Sequence, residues 1–132
     1  MSAVFAETYY FLALLNKRDE DHAKAIAHAE NLDRLTTTEW VLIELADALA
    51  SSRQRKMFLQ TRQELLADPD VRVVSLDGGL QEEGIALYAS RADKEWSLTD
   101  CISFVVMQRE GITQALTGDH HFEQAGFVAL LK

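Results

Sequence analysis

The stretch from Trp96 to Met107, W-S-L-T-D-C-I-S-F-V-V-M, constrains the fold of this chain more than any other. Ser103 is the only polar residue among the seven that follow Asp100. A helix that is apolar almost all round is typical of a buried helix rather than a surface one. Ser97 or Thr99 is a suitable N-cap, and Gly111 is a suitable C-terminal glycine. The stretch therefore predicts a helix that is covered by other elements on most of its faces.

Short apolar or β-branched runs alternate with helical patterns along the rest of the chain. Strands are predicted at 3–6, 35–38, 71–76, 115–117 and 127–131. Helices are predicted at 9–15, 19–32, 40–51, 53–67, 80–90 and 97–110, and Asp77-Gly-Gly79 is predicted to be a turn. Alternation of this kind predicts an α/β sandwich with a mostly parallel, five-stranded sheet. At 132 residues, the chain is expected to form one domain, 1–132.

Composition limits the possible functions. The net charge of −8 argues against a protein that holds nucleic acid through a general positive field, and favours a local site or a basic partner. Cys101 is the only cysteine, so one chain can form neither a disulfide nor a thiolate metal site. Without an apolar run of membrane-spanning length or a secretory leader, we expect no membrane association and a cytoplasmic location.

Four carboxylates are predicted to lie at one edge of the sheet. Glu7 directly follows the first strand, and Asp119 comes two residues after the fourth. Asp100 lies in the first turn of the buried helix, and Glu44 interrupts the apolar run from Trp40 to Ala46. Gathered carboxylates repel one another, which raises their pKa values unless a cation is present. Oxygen ligands suit a hard divalent cation, so the pattern predicts a site for Mg²⁺ or Mn²⁺.

The chain resembles the PIN-domain nucleases, in particular the VapC-type toxins of toxin–antitoxin pairs. The resemblance rests on four motifs that together span nearly the whole chain. They are Glu7-Thr8 before an apolar helix, Glu44 within V-L-I-E-L-A, S-L-T-D at Ser97–Asp100 with Asp93-Lys94 upstream, and T-x-D-x-x-F-x-x-x-G-F at Thr117, Asp119, Phe122, Gly126 and Phe127.

This resemblance implies a PIN-like α/β/α sandwich and an endoribonuclease that hydrolyses RNA through a water activated by Mg²⁺ or Mn²⁺. It implies that Glu7, Glu44, Asp100 and Asp119 are the catalytic and metal-binding residues, with Thr117 and Asp93 as accessory candidates. It also implies a homodimer and a cognate antitoxin whose tail blocks the acidic site.

One residue departs from the family pattern. The first acid of the family is usually Asp, and Glu7 is longer by one methylene. Because Mg²⁺ tolerates little error in its octahedron, this change is expected to affect metal preference or activity. A catalytically weakened PIN domain that binds RNA or a protein partner is therefore the main alternative. A receiver-like phosphoacceptor domain is a third, weakened because Glu7 stands alone after the first strand.

Other polar and aromatic residues have simpler interpretations. Asp47 is expected on a solvated helix face. His120 and His121 are expected to point to different faces and so to form no chelating pair. The basic cluster Arg53, Arg55, Lys56 and Arg62 is a solvated helix face or an RNA-backbone contact. The helix residues from Tyr9 to Leu15 belong to the core or to a dimer surface.

Overall fold

Residues 3–132 are described by a computed structural model of the chain. They form a single five-stranded sheet with helices in the connections between strands. The strands are β1 Val4–Ala6, β2 Leu35–Thr38, β3 Val71–Val74, β4 Gln114–Leu116 and β5 Val128–Ala129. The helices of these residues are α1 Thr8–Leu15, α2 His22–Glu30, α3 Glu39–Ala48, α4 Ser52–Ala67, α5 Gly78–Ser90, α6 Leu98–Glu110 and α7 His120–Gln124. Across the described range, each helix is too short or too polar to cross a membrane.

The sheet has the strand order β3-β2-β1-β4-β5, and all its strand pairs are parallel. The predicted α/β fold with a five-stranded sheet is therefore confirmed. The connections between consecutive strands are α1 and α2, then α3 and α4, then α5 and α6, and finally α7. The chain runs outward from β1 through β2 to β3 and then returns to β4 on the other side of β1. The carboxyl ends of β1 and β4 thus flank the point at which the winding reverses, which is where open parallel sheets bind ligands.

Helix α6 is buried, as its sequence predicts. Most of its residues between Cys101 and Met107 are inaccessible to solvent, with Val105 only half-buried. Ser97 caps its start, and Gly111 ends it in the left-handed conformation with φ of 67°. Its neighbour α5 approaches so closely that a Cβ added at Gly84 would lie 2.4 Å from Cγ1 of Ile102. This glycine allows two helices to pack almost backbone to backbone.

A cluster of aromatic rings joins α6 to α7. The Phe104 ring packs edge-on against Phe122, with centroids 4.9 Å apart and planes at 83°. It also meets Trp96 in a similar way, with centroids 5.0 Å apart. The ring centroid of Phe122 lies 6.5 Å from that of Phe5 in the central strand, β1. Aromatic pairs in this geometry add to the energy of burial, so this cluster stabilises the packing of α6 against α7.

Several predicted boundaries are wrong. Asp77-Gly-Gly79 is not a free turn, because the Asp77 side chain accepts from Gly79 N and Leu80 N and caps α5, which begins at Gly78. The predicted strands at 71–76 and 127–131 are shorter, ending at Val74 and spanning only Val128–Ala129. Helix α7 was not predicted at all. The predicted strand at 35–38 is confirmed as β2.

Candidate metal centre

The four predicted acids belong to four elements that meet at the β1–β4 edge of the sheet. Glu7 follows β1, Glu44 lies in α3 after β2, Asp100 is in the first turn of α6, and Asp119 follows β4. The charges of Asp100 and Glu44 both raise the pKa of Glu7, and those of Asp100 and Asp119 raise the pKa of Glu44. The structure therefore brings together the four acids that the sequence singled out.

Glu7 is the most deeply buried of these acids, with 7% of its surface exposed. Its Oε1 accepts a hydrogen bond of 3.1 Å from Tyr9 N, so the longer side chain folds back and caps α1. Burial raises the pKa of Glu7 to about 8, and the charges of Asp100 and Glu44 add to this effect. Hydrogen bonding by Thr117 and by the Tyr9 backbone opposes the rise in its pKa. The ionised form of a buried acid with negative neighbours is strongly stabilised by a nearby cation.

Glu44 is oriented by the residue that follows Glu7. The Thr8 hydroxyl donates a hydrogen bond to Oε1 of Glu44, linking the start of α1 to the middle of α3. Burial raises the pKa of Glu44, while this hydrogen bond lowers it. Thr38, at the end of β2, caps α3, because its Oγ1 accepts a hydrogen bond of 3.1 Å from Val41 N. This cap fixes the start of the helix and therefore the position of Glu44 on it.

Asp100 and Ser97 form a capping box at the start of α6. Ser97 Oγ accepts from Asp100 N at 3.0 Å, and Asp100 Oδ2 accepts from Ser97 N at 3.1 Å. Burial raises the pKa of Asp100, the charge of Asp119 raises it further, and the Ser97 and His121 contacts lower it. The side chain of Asp100 remains 14% exposed, so a ligand can reach it from the solvent.

Asp119 is fixed by its own loop. Its backbone N–H donates to Thr117 Oγ1 at 2.9 Å, and its Oδ1 caps α7 by accepting from His121 N at 2.9 Å. Thr117 is fully buried and acts on the pKa of Glu7 as well, so this accessory candidate does lie within the acid cluster. A Cβ at Gly118 would lie 2.6 Å from the Tyr9 ring, so only glycine lets the loop pass under that ring without displacing it.

His121 also belongs to this cluster, contrary to expectation. Its Nδ1 lies 3.2 Å from Oδ2 of Asp100 and 3.4 Å from Oδ1 of Asp119. His120 Nδ1 lies 3.6 Å from the same Asp119 oxygen, so the expectation that the two histidines point apart is wrong. The cause is α7: the ring centroids are only 4.5 Å apart because both residues lie in its first turn. The sequence signal that could have revealed this helix is Asp119 as an N-cap.

The remaining candidates lie outside the cluster. Asp93 is exposed and pairs with Arg91 at 3.0 Å and Lys94 at 3.8 Å, so its predicted accessory place is not supported by any described contact with the four acids. Asp47 is exposed, as predicted, although its charge adds to the rise in the pKa of Glu44. The basic cluster of α4, Arg53, Arg55, Lys56 and Arg62, is exposed throughout.

The donor set fits a divalent cation. Carboxylate oxygens dominate it, and burial together with neighbouring negative charges raises the pKa values of Glu7, Glu44 and Asp100. Asp119, His120 and His121 each offer one ligand atom within 4.8 Å of the others. Oxygen-rich sites of this kind suit Mg²⁺ or Mn²⁺, and the imidazole groups widen the choice to other transition metals. The arrangement can therefore bind a metal at an edge that is open to a substrate.

Residues 4–128 match the PIN domain family. The 23S rRNA-specific endonuclease VapC20 of two Mycobacterium tuberculosis strains, CDC 1551 / Oshkosh and H37Rv, is 26% identical over 125 residues, which are 95% of this chain and 95% of the relative.

Solved structures agree with this match. The crystal structure of Mycobacterium tuberculosis VapC20, described as a sarcin-ricin loop cleaving toxin, superposes with a TM-score of 0.85 at 28% identity, covering 95% of this chain and 96% of that one. The crystal structure of FitAcB from Neisseria gonorrhoeae superposes with a TM-score of 0.68 at 18% identity, covering 96% of this chain and 94% of that one. At this identity, the likeness shows the fold alone. The family match extends from β1 into β5 and includes all four acids. The chain thus belongs to the PIN domain family, as its motifs indicated.

Proposed function

We propose that this protein is a metal-dependent endoribonuclease of the VapC type. The observation that carries the proposal is the meeting of Asp100 and Asp119, whose carboxylate oxygens lie within 3.4 Å of one His121 nitrogen, beside the buried Glu7. The similarity to an RNA endonuclease over 95% of the chain supports this activity. It favours an active enzyme over a weakened binding module, and membership of the PIN family is inconsistent with a receiver-like domain.

RNA is the substrate class, and 23S rRNA is the first RNA to test. VapC20 is described as specific for 23S rRNA and as cleaving the sarcin-ricin loop. At 26% identity, this similarity supports a shared class of substrate more strongly than a shared cleavage site. The acidic chain has its exposed basic residues on α4, which are candidates for contact with the RNA backbone.

The four acids form two pairs with different roles in this proposal. Asp100 and Asp119 hold the cation at the open edge of the site, and Glu7 and Glu44 contribute charge from the buried side. A bound Mg²⁺ or Mn²⁺ supplies a water of lowered pKa and neutralises charge on the phosphate. Thr8 and Thr117 orient the acids through the Glu44 and Asp119 hydrogen bonds. No side-chain nucleophile is needed for this chemistry.

We further propose an antitoxin partner, a homodimer and action in the cytoplasm, where ribosomal RNA is found. The net charge of −8 favours an antitoxin that presents basic residues to the acidic edge. VapBC2 of Rickettsia felis and FitAB, two neighbours in fold, were solved bound to DNA fragments. The apolar residues Leu14 and Leu15 of α1 are half-buried, line a groove of about 400 Å³ with α2 and α4, and are candidates for a contact with another chain.

The substitution Asp100→Asn tests the enzyme function. Asparagine keeps an acceptor for Ser97 N, so α6 retains its capping, but it removes a charge that holds the cation. We expect loss of RNA cleavage with the fold intact or more stable, because repulsion among the acids falls. The assay follows cleavage of total cellular RNA and of isolated 23S rRNA with Mg²⁺ or Mn²⁺.

Asp33→Asn is the matched control. Asp33 is exposed just before β2, at the opposite edge of the sheet, so this variant should cleave like the parent. If Asp100→Asn cleaves as fast as the parent, the activity lies elsewhere in the preparation or in the protein. If the parent is inert with both metals while it still binds RNA, the enzyme proposal is wrong.

A further inference from the structure

We infer that His121 is itself a metal ligand, through Nδ1, and that it makes this site select Mn²⁺ over Mg²⁺. The inference rests on the proposed metal-dependent function and adds a nitrogen donor to a site of carboxylates. Its basis is the position of one nitrogen atom between two carboxylate oxygens from separate elements, Asp100 of α6 and Asp119 before α7.

The distances fit the edges of a coordination polyhedron. With ligand atoms about 2.1 Å from an ion, neighbouring ligands lie about 3.0 Å apart in an octahedron and about 3.4 Å apart in a tetrahedron. His121 Nδ1 lies 3.2 Å from Asp100 Oδ2 and 3.4 Å from Asp119 Oδ1. Either carboxylate oxygen can therefore share one ion with His121 Nδ1 with little movement of the side chains.

The histidine is also held rigidly. Its backbone N–H donates to Asp119 Oδ1 at 2.9 Å, and the next residue, Phe122, is fully buried against Phe104. The His121 side chain is only 18% exposed. A ligand fixed by a helix cap on one side and by the core on the other loses little freedom on binding a metal.

His120 is the weaker candidate, although it lies beside His121. Its side chain is 63% exposed, and its nearest carboxylate oxygen, on Asp119, is 3.6 Å away. Asp100, from the other helix, is not among its contacts. His120 therefore serves as a matched control with the same chemistry one residue away.

A nitrogen ligand changes metal preference. Mg²⁺ takes oxygen ligands and keeps several waters, whereas imidazole suits first-row transition metals. Of the two ions that the acids suit, Mn²⁺ gains more from His121 than Mg²⁺ does. We expect the His121→Asn variant to lose at least about tenfold in Mn²⁺ affinity, the scale on which groups around a metal site act. Its Mg²⁺ affinity should change little, because Mg²⁺ takes oxygen ligands and gains little from the imidazole.

The experiment measures Mn²⁺ binding directly, without RNA. Mn²⁺ and Mg²⁺ are titrated into the full chain by calorimetry, and pulsed electron paramagnetic resonance of bound Mn²⁺ records coupling to nitrogen nuclei. In the parent we expect coupling to a coordinated imidazole nitrogen. The coupling should disappear in His121→Asn and persist in His120→Asn.

The outcomes separate this inference from the proposed function. Mn²⁺ binding without nitrogen coupling, or coupling that survives in His121→Asn, overturns the role of His121 and leaves the acidic metal site standing. An unchanged ratio of Mn²⁺ to Mg²⁺ affinity in His121→Asn overturns the selectivity. If the parent binds neither ion, both the ligand assignment and the metal-dependent function are wrong.

Discussion

The Thr8 hydroxyl donates to the Glu44 carboxylate and so joins the start of α1 to α3 across the sheet edge. Thr8→Val keeps the shape of the side chain and removes the donor. We expect the pKa of Glu44 to rise further, Mn²⁺ affinity at neutral pH to fall several-fold, and stability to fall by about 1–3 kcal/mol, as for a lost bond to a charged group. Calorimetry and urea unfolding measure these effects. Thr8→Ser keeps the hydroxyl, so equal losses in both variants would contradict this role.

Glu7 makes stability depend on pH. Its pKa is about 8 in the folded protein and 4.5 for an ordinary Glu, so between these pH values the folded state holds a proton that the unfolded chain releases. Stability without metal should therefore be full below about pH 4.5 and fall by a few kcal/mol as pH rises to 8. Urea unfolding in a chelator, from pH 5 to 8.5, measures this slope.

Glu7→Gln should flatten that slope and be more stable than the parent at pH 8, with little difference at pH 5. The control is Glu82→Gln, an exposed position on α5, which should follow the parent at every pH. Parallel curves for the parent and Glu7→Gln would show that Glu7 is not protonated in the folded protein.

Divalent metal should stabilise the folded protein by mass action. An ion at 100 times its dissociation constant adds about 2.7 kcal/mol if it binds only the folded state. For a domain of this size, that corresponds to a melting temperature several degrees higher. Thermal unfolding at pH 7.5 with millimolar Mg²⁺ or Mn²⁺, at matched ionic strength, checks this. The Asp100→Asn variant should show a much smaller increase, and an unmoved melting temperature in the parent would argue against a working site.

Glu7→Asp shortens the side chain to the length usual in the family. Mg²⁺ demands near-ideal octahedral geometry, and Glu7 bends back to cap α1, so we expect faster Mg²⁺-dependent RNA cleavage by the Asp variant. Asp is also a good N-cap, which limits the cost of the lost methylene to about 1 kcal/mol. Initial rates in each metal measure the effect. Equal or lower rates in Mg²⁺ would mean that the longer side chain suits this site.

Gly84 tests the packing of α5 on α6. A Cβ there would lie 2.4 Å from Cγ1 and 3.3 Å from Cα of Ile102, so Gly84→Ala should destabilise by about 1–3 kcal/mol through overpacking. Gly78→Ala is the matched control, because its added Cβ meets nothing within 4 Å and α5 gains a better helix former. Urea unfolding compares the two. Equal stability would mean that the helices can separate without cost.

The sequence predicted the features that depend on pattern over many residues. The apolar run after Asp100 identified α6, and the alternation of strands and helices identified the parallel sheet. Strand exits then indicated that Glu7 and Asp119 would lie at the same edge of the sheet. These predictions succeeded because burial and chain winding act over whole elements, and a few exceptional residues do not alter them.

The features that sequence analysis missed depend on short-range geometry. Helix α7 is five residues long and mostly polar, so it has no periodicity to detect, and without it the direction of His121 could not be inferred. The capping role of Asp77 was missed because Asp-Gly-Gly is equally typical of a turn. The contact of Thr8 with Glu44 joins residues 36 positions apart, which no local pattern encodes.

Three acids of the site make capping hydrogen bonds: Glu7 and Asp119 are the N-caps of α1 and α7, and Asp100 completes the capping box in which Ser97 is the N-cap of α6. Where like charges cluster, substitution by a neutral residue ordinarily stabilises the protein, because it relieves repulsion. Here, replacing any of the three by an apolar residue also removes a capping hydrogen bond, and the loss of an N-cap side chain costs about 0.5–2 kcal/mol. Few substitutions at these positions therefore remove the charge and also stabilise the protein. Substitutions that abolish the charge and keep the helix intact, such as Asp to Asn or Ser, are the signature to look for in inactivated descendants of this chain.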